Sequence, residues 1–508
     1  MTASPASLRC HYALTMLQKS VFPWVVALLL ALRLWHFGPD IDAPHDWRQC
    51  DTAWYIWDFY RNGIDLLHPA VCWMGGADTV ALECPLPEAI IAPAYWFFGE
   101  SIPLARVFFL CFFAGAVYYF YKIAELLFGP ELGRLSALVY LALPLSIFYS
   151  RAIHIDFSAL LAAHAMLYYF LIGVKNRLLK YMLLSGVAAA FVALIKAPYA
   201  FYFALPMAWF VLQHKALGWA ARAAWCYLPA LAAFLFWQHH VEVINGAAPD
   251  LSYIAHYRKM TQSAAWYFGT LDQRLSLYPW WVLLQRGVLE VAGAGGILFF
   301  LLGWRNLKQL PQYPFLLWWI LGLAAYVLIF FNLNFVHNYY QLPLLAPLAI
   351  LCARGLQLAS TKKPGRLLWF FGLLTIANVA YTERYYFKVA ADHIEIGQVI
   401  RQNTPDSALV IVTCQDLDCR NPKILYRARR RGWSVEELAL KPEVIERLHR
   451  EQGAQFWVYV GAGLPQTRMQ GYLATLPQPH IFDLASSVKQ KVYIFGLSNN
   501  VSPILPAL

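Results

Sequence analysis

The sequence predicts a polytopic α-helical membrane protein with a C-terminal α/β domain, and three observations predict it. Hydrophobic residues make up 60% of the 508 and charged residues only 14%, whereas soluble domains run nearer 45–50% apolar and about 25% charged. The apolar residues gather into about eleven runs of roughly membrane length. Beyond residue 384 the charges return, and strand-like and helix-like segments alternate.

Taken as spans, the apolar runs fall at 20–37, 103–123, 133–149, 157–174, 181–195, 198–213, 222–238, 287–303, 314–331, 339–353 and 367–383. No small-residue cleavage site follows the run at 21–37, so it reads as a membrane helix rather than a signal peptide. Alternate loops carry the basic residues: Arg9 and Lys19, then Lys175, Arg177 and Lys180, then Lys215 and Arg222, then Arg305 and Lys308, then Arg354, Lys362, Lys363 and Arg366. This is the positive-inside pattern with a cytoplasmic N-terminus. It accounts for most of the net charge of +11 and argues against a nucleic-acid partner. An odd number of spans puts the C-terminus outside, together with the loops that hold Asp46, Asp156 and His337.

The chain divides at about residue 383. Residues 1–383 form the membrane domain, with one large external loop at 38–102, and residues 384–508 form the external α/β domain. In the loop, Asp51–Tyr60 reads as a short aromatic helix. Pro85–Phe98 reads as an interfacial helix too short to span. In the C-terminal part, Ala408–Cys414, Phe456–Val460 and Lys491–Phe495 read as strands. One helix is expected from Asn421-Pro422 to before Gly432, and another from Pro442 to Gly453. Cys72 with Cys84 and Cys414 with Cys419 are candidate bridges in external segments. No spacing reads as a metal site, and the sequence leaves the need for a divalent metal open.

The candidate site residues stand at the outer ends of spans. Pro44-His45-Asp46-Trp47-Arg48-Gln49-Cys50-Asp51-Thr52 places two carboxylates and an arginine just after the first apolar run. Asp46 or Asp51 can serve as a general base, a role worth about 10²–10⁴-fold in rate; the competing reading is that Asp51 or Thr52 caps the following helix. Asp156 lies near Arg151 and His154 at the mouth of the fourth span, where capping competes again. Glu83 opens the interfacial helix. Lys196 sits between two apolar runs and reads either as a snorkelling lysine or as a lipid-phosphate ligand. His337, with Asn332, Asn334, Asn338, Tyr339 and Tyr340, forms a polar-aromatic cluster that reads either as interfacial packing or as donors to a phosphate or sugar.

Taken in order, the Arg-Gln-containing acidic loop, Glu-x-Pro-Leu, Arg-x-Ile-x-Asp, Lys-x-Pro and His-x-Tyr-Tyr-x-Leu-Pro-Leu resemble the C-type glycosyltransferase superfamily. The nearest branch holds the protein O-mannosyltransferases and lipid A aminoarabinose transferases. The resemblance covers most of the membrane domain and is strongest over 44–200 and 334–350. It implies a sugar donor on a polyprenyl phosphate, an envelope acceptor (lipid, glycan or protein) and inverting transfer at the outer face of a bacterial inner membrane. It makes a first-loop aspartate the base, with Asp51 favoured over Asp46, and Asp156 the second acid. Arg48, Gln49, Arg61, Glu83, Lys196, His337, Tyr339 and Tyr340 become substrate ligands. Two departures stand out. The common Asp-Glu pair of the first loop is replaced by Arg48-Gln49, and Cys84 stands where relatives carry a phosphate-binding lysine, so that either the charge comes from elsewhere, with Lys196, Arg48 and Arg61 as candidates, or donor binding differs. The rival readings are a transporter or flippase of lipid-linked sugars, which predicts buried mid-span polar groups and broken helices, and a scaffold protein that recruits an envelope partner through residues 384–508.

Overall fold

The computed structural model describes residues 20–76, 79–254, 264–363, 365–418, 422–465 and 469–497. Arg9, Lys19, Cys419 and Asn421, and with them parts of the expectations above, lie outside the described residues. Contacts divide the chain into two compact units that do not follow chain order. The first comprises 1–39, 102–237 and 263–387; the second comprises 40–101, 238–262 and 388–508.

The first unit is helical. Among the described residues, five helices are long and apolar enough to cross a membrane, including Ile102–Phe128, Asp156–Asn176, Leu179–Lys196 and Asn338–Ser360. A bent pair makes a sixth if counted as one span. The protein is therefore a multi-pass membrane protein, but the expected count of eleven is not confirmed. The backbone gives the reason. The run at 133–149 is cut where Leu143 turns extended (ψ 145°) ahead of Pro144, because a residue before proline is pushed out of the helical region. The run at 198–213 is split into Pro198–Phe201 and Ala204–Gln213. The run at 287–303 is broken between Leu277–Ala292 and Gly296–Arg305, which bend by 97°. Gly293 makes that bend: its φ is +74°, and a Cβ there would lie 1.9 Å from Asn378 Oδ1. Ser20–His36 and Tyr313–Ile329 are apolar but shorter.

The second unit is built on a five-stranded sheet: β1 (Leu409–Cys414), β2 (Arg431–Ser434), β3 (Phe456–Gly461), β4 (His480–Leu484) and β5 (Ser487–Gly496). The spatial order is β2-β1-β3-β5-β4, parallel across β2, β1 and β3 and antiparallel from β3 onwards. The three expected strands are present; β2, short and opening on Arg431, and β4, which carries His480 and Asp483, are additions to them. The helix Pro442–Gln452 starts on its proline and ends at Gly453 in the left-handed region, with Arg450 and Glu446 paired at 2.7 Å. The helix expected from Asn421-Pro422 is shorter, Lys423–Ala428, ended by left-handed Arg429.

The first loop belongs to this unit. Tyr55, Val71, Met74 and Val80 bury themselves with Ile411, Trp433, Trp457 and Phe495 in one core. The backbones lock as well: Gly432 N donates to Cys72 O at 2.9 Å, and Gly75 N donates to Gly432 O at 3.2 Å. Gly75, at φ +62°, is required there, since a Cβ would lie 1.9 Å from the Trp433 ring. Cys72 and Cys84 are free thiols, so the bridge expected between them does not form. Each is buried in packing. Cys414 is disulfide-bonded.

Candidate active site

In the second unit, the helix Asp46–Asn62 carries the first-loop candidates. It begins five residues before Asp51, so Asp51 is an interior residue and the capping reading falls away. Positions 48, 51, 52 and 55 share one helical face, and that face is buried. Arg48 Nη2 binds Glu83 Oε2 at 2.6 Å, while its Nη1 lies 3.9 Å from Asp51 Oδ2. Trp73 Nε1 donates to Asp51 Oδ1 at 2.9 Å. Burial pushes the Asp51 carboxyl up to about 6 and Glu83 adds to the rise, whereas Arg48 and the indole hydrogen bond oppose it. The result is a carboxylate that is ionised at neutral pH yet still basic enough to accept a proton there.

The remaining first-loop candidates separate. Asp46 Oδ1 faces Lys423 Nζ at 3.1 Å. Gln49 Nε2 donates to Asp42 O at 2.6 Å, and the side chain is fully buried. Arg61 is exposed in the last turn of the helix, ten residues or roughly 15 Å of helical rise from Asp51.

In the first unit, Asp156 is the first residue of the helix Asp156–Asn176, one past its N-cap Ile155. Its Oδ1 accepts from Lys196 Nζ at 2.7 Å and from the Tyr199 hydroxyl, and its Oδ2 lies 2.5 Å from His154 Nδ1. Lys196, expected either to snorkel or to bind phosphate, is 4% exposed, so snorkelling is excluded. Its ammonium sits over Tyr340, Tyr339 and Tyr199 at 4.0, 4.7 and 5.0 Å from the ring centroids, an aromatic box for a cation. His337 stacks on Tyr339 at 5.0 Å, and His154 packs on the same ring at 4.4 Å. Asp156, Lys196, His337, Tyr339 and Tyr340 thus share one cluster.

Sequence reasoning missed several members. Glu88 is 2% exposed, and its Oε2 has no hydrogen-bond partner. Burial pushes its carboxyl up to about 8, with Glu83 adding to the rise and Arg48 opposing it. A lone carboxylate in the otherwise apolar helix Leu86–Phe98 was the available signal. Trp73 and Tyr199 left none. Glu290 was passed over too: its Oε2 accepts from Asn338 Nδ2 and from the Tyr386 hydroxyl, each at 2.6 Å. Among the described residues, no three His, Cys, Asp or Glu side chains are grouped to hold a metal ion.

A family described as dolichyl-phosphate-mannose-protein mannosyltransferase matches residues 83–240. No curated protein sequence matches the chain. Among solved structures, ArnT from Cupriavidus metallidurans bound to undecaprenyl phosphate is similar over 94% of this chain and 98% of its own, at 15% identity and a TM-score of 0.63. The oligosaccharyltransferase of Archaeoglobus fulgidus, in complex with Zn and sulfate, is similar over 94% of this chain and 73% of its own, at 12% identity and a TM-score of 0.55. The mycobacterial arabinofuranosyltransferase AftD is similar over 94% of this chain and 40% of its own, at 14% identity and a TM-score of 0.50. The resemblance to the C-type glycosyltransferases is borne out. At such identities the likeness to solved structures is one of fold, and it extends over nearly the whole chain.

Proposed function

We propose that the protein is a membrane glycosyltransferase that moves a sugar from a polyprenyl-phosphate carrier to an envelope acceptor at the outer face of a bacterial inner membrane. The observation that carries this reading is Asp51: a buried carboxylate, held at about 6 and fixed on one side by Trp73 and on the other by the Arg48–Glu83 pair. An acceptor hydroxyl attacks the anomeric carbon, its proton passes to Asp51, and the bond from that carbon to the carrier's phosphate oxygen breaks. One displacement inverts the anomeric centre. Asp46, tied to Lys423, is the weaker of the two first-loop candidates.

Lys196 is the proposed cation for the donor phosphate, with Asp156 and His154 holding it in place. His337, Tyr339 and Tyr340 form the aromatic wall beside it. Two observations support the reading: the family match begins at Glu83, and the fold is shared with an ArnT solved with undecaprenyl phosphate.

The test is a transfer assay with purified protein, radiolabelled polyprenyl-phosphate sugars and envelope lipid or glycan acceptors. Product is expected with at least one donor, and Asp51→Asn should lower kcat/KM by about 10²–10⁴-fold. Full activity in Asp51→Asn would remove the base and the mechanism with it. Carrier movement across proteoliposomes with no glycosidic product would favour the flippase instead.

A further inference from the structure

A groove of about 230 Å³ runs between the helix Ser20–His36 and the helix Arg366–Tyr385, and none of Asp156, Lys196, His337, Tyr339 or Tyr340 lines it. Leu29, Leu32, Arg33 and His36 line one side and Thr375, Val379 and Glu383 the other. The spacings of three and four residues put each set on one helical face. Leu32 is 50% exposed and neighbouring Trp35 83%, which in a membrane domain means facing lipid.

The floor of this apolar groove is cationic. Arg33 is 5% exposed; its guanidinium lies 4.8 Å from the Phe113 ring centroid and makes three hydrogen bonds, all to neutral oxygens: Ser150 Oγ at 2.8 Å, Leu141 O at 2.6 Å and Leu29 O. A guanidinium has five N–H donors, so two remain. A charge at bilayer depth costs about 2.5–3.5 kcal/mol on insertion scales, and neutral acceptors do not cancel it. Arg151, fully buried, lines the same groove, donating to His36 O at 2.9 Å and stacking 4.4 Å from the Phe387 ring centroid. The carboxylate in the lining, Glu383, is held by His36 Nε2 at 2.7 Å.

We propose that this groove seats an anionic bilayer lipid, its phosphate on Arg33 and Arg151 and its acyl chains along Leu29, Leu32 and Val379. The chemistry is that of a planar cation reading phosphate from within the bilayer. Arg33 then helps to fasten the first membrane helix, with a lipid completing its coordination. The proposal stands independently of glycosyl transfer.

The experiment is native mass spectrometry of the full chain released from nanodiscs of phosphatidylcholine doped with phosphatidylglycerol. Wild type should retain phosphatidylglycerol in preference to phosphatidylcholine. Arg33→Gln should lower that retention by about tenfold, the worth of one charge-assisted contact. Thr375→Trp fills the groove while keeping both arginines and should do the same, which guards against a fold lost in Arg33→Gln. Equal retention of the two lipids by wild type, or undiminished phosphatidylglycerol in Thr375→Trp, would overturn the proposal. Displacement of phosphatidylglycerol by stoichiometric polyprenyl phosphate would overturn it too, by assigning the groove to the carrier.

Discussion

Asp51 and Asp156 are the same residue type, both almost completely buried and both beside cations, yet the protein prepares them for opposite work. Asp156 is surrounded: an ammonium at 2.7 Å, an imidazole nitrogen at 2.5 Å and a phenol occupy its two oxygens. Asp51 is nearly alone. Its arginine is 3.9 Å away and committed to Glu83, and its firm contact is a neutral indole. Burial without full compensation raises a carboxyl, and burial with it locks the anion in place. A short ion pair therefore marks an anchor, and a long one leaves a base.

The largest expected effect separates the two on different readouts. Asp51→Asn should abolish most transfer, about 10²–10⁴-fold, while the melting temperature stays close to wild type, because no buried countercharge is stranded. Asp156→Asn should instead destabilise the protein by about 3–5 kcal/mol, since Lys196 and His154 lose their anion. Thermal unfolding in detergent reads the second and the transfer assay the first. Comparable unfolding in both variants would erase the distinction.

Glu88 comes next. Its folded carboxyl titrates near 8 against an ordinary value of 4.5, so between those values the folded state holds a proton that the unfolded state has released. Stability therefore falls as pH rises through that window. Glu88→Gln should stabilise the protein, with a gain that grows from pH 5 to pH 8 to roughly a few kcal/mol. A gain that did not change with pH would show that the site is wetter than its burial indicates.

The smaller effects sharpen the reading of Asp51. It must be ionised to act, so kcat/KM should fall as pH drops below about 6. Glu83→Gln removes a negative neighbour and releases Arg48, and both changes favour the Asp51 anion; the acid limb should move to lower pH by up to about one unit. Smallest of all is Arg61→Ala. Exposed at the far end of its helix, it should change kcat/KM less than about twofold and stability by within about 0.5 kcal/mol.

Much of this was legible in the sequence because membrane chemistry makes polar residues conspicuous. Asp156, Lys196 and His337 stood out against apolar runs and do converge. What the sequence concealed were groups with an ordinary alternative use. Trp73 and Tyr199 are aromatics in a chain with 20 Trp and 30 Tyr, and nothing local marks them as partners of a carboxylate. The apolar runs overstated the helices because hydropathy does not register Pro144, the turn at Tyr202-Phe203 or Gly293, where the backbone breaks. Strands β1, β3 and β5 announced themselves as apolar runs, whereas β2, short and opening on Arg431, could be found only through its pairing with β1.

The interlock of the first loop with the sheet also constrains how the protein is made. Trp433 and the strand beside it pack with Gly75 and Tyr55, yet they leave the ribosome long after the loop does. At 5–20 residues per second, the loop waits roughly 20 to 80 s for the last strand of its core. Cys72, whose carbonyl pairs with Gly432, is a free buried thiol in the finished fold, and the strand that pairs with it is made only late in that interval.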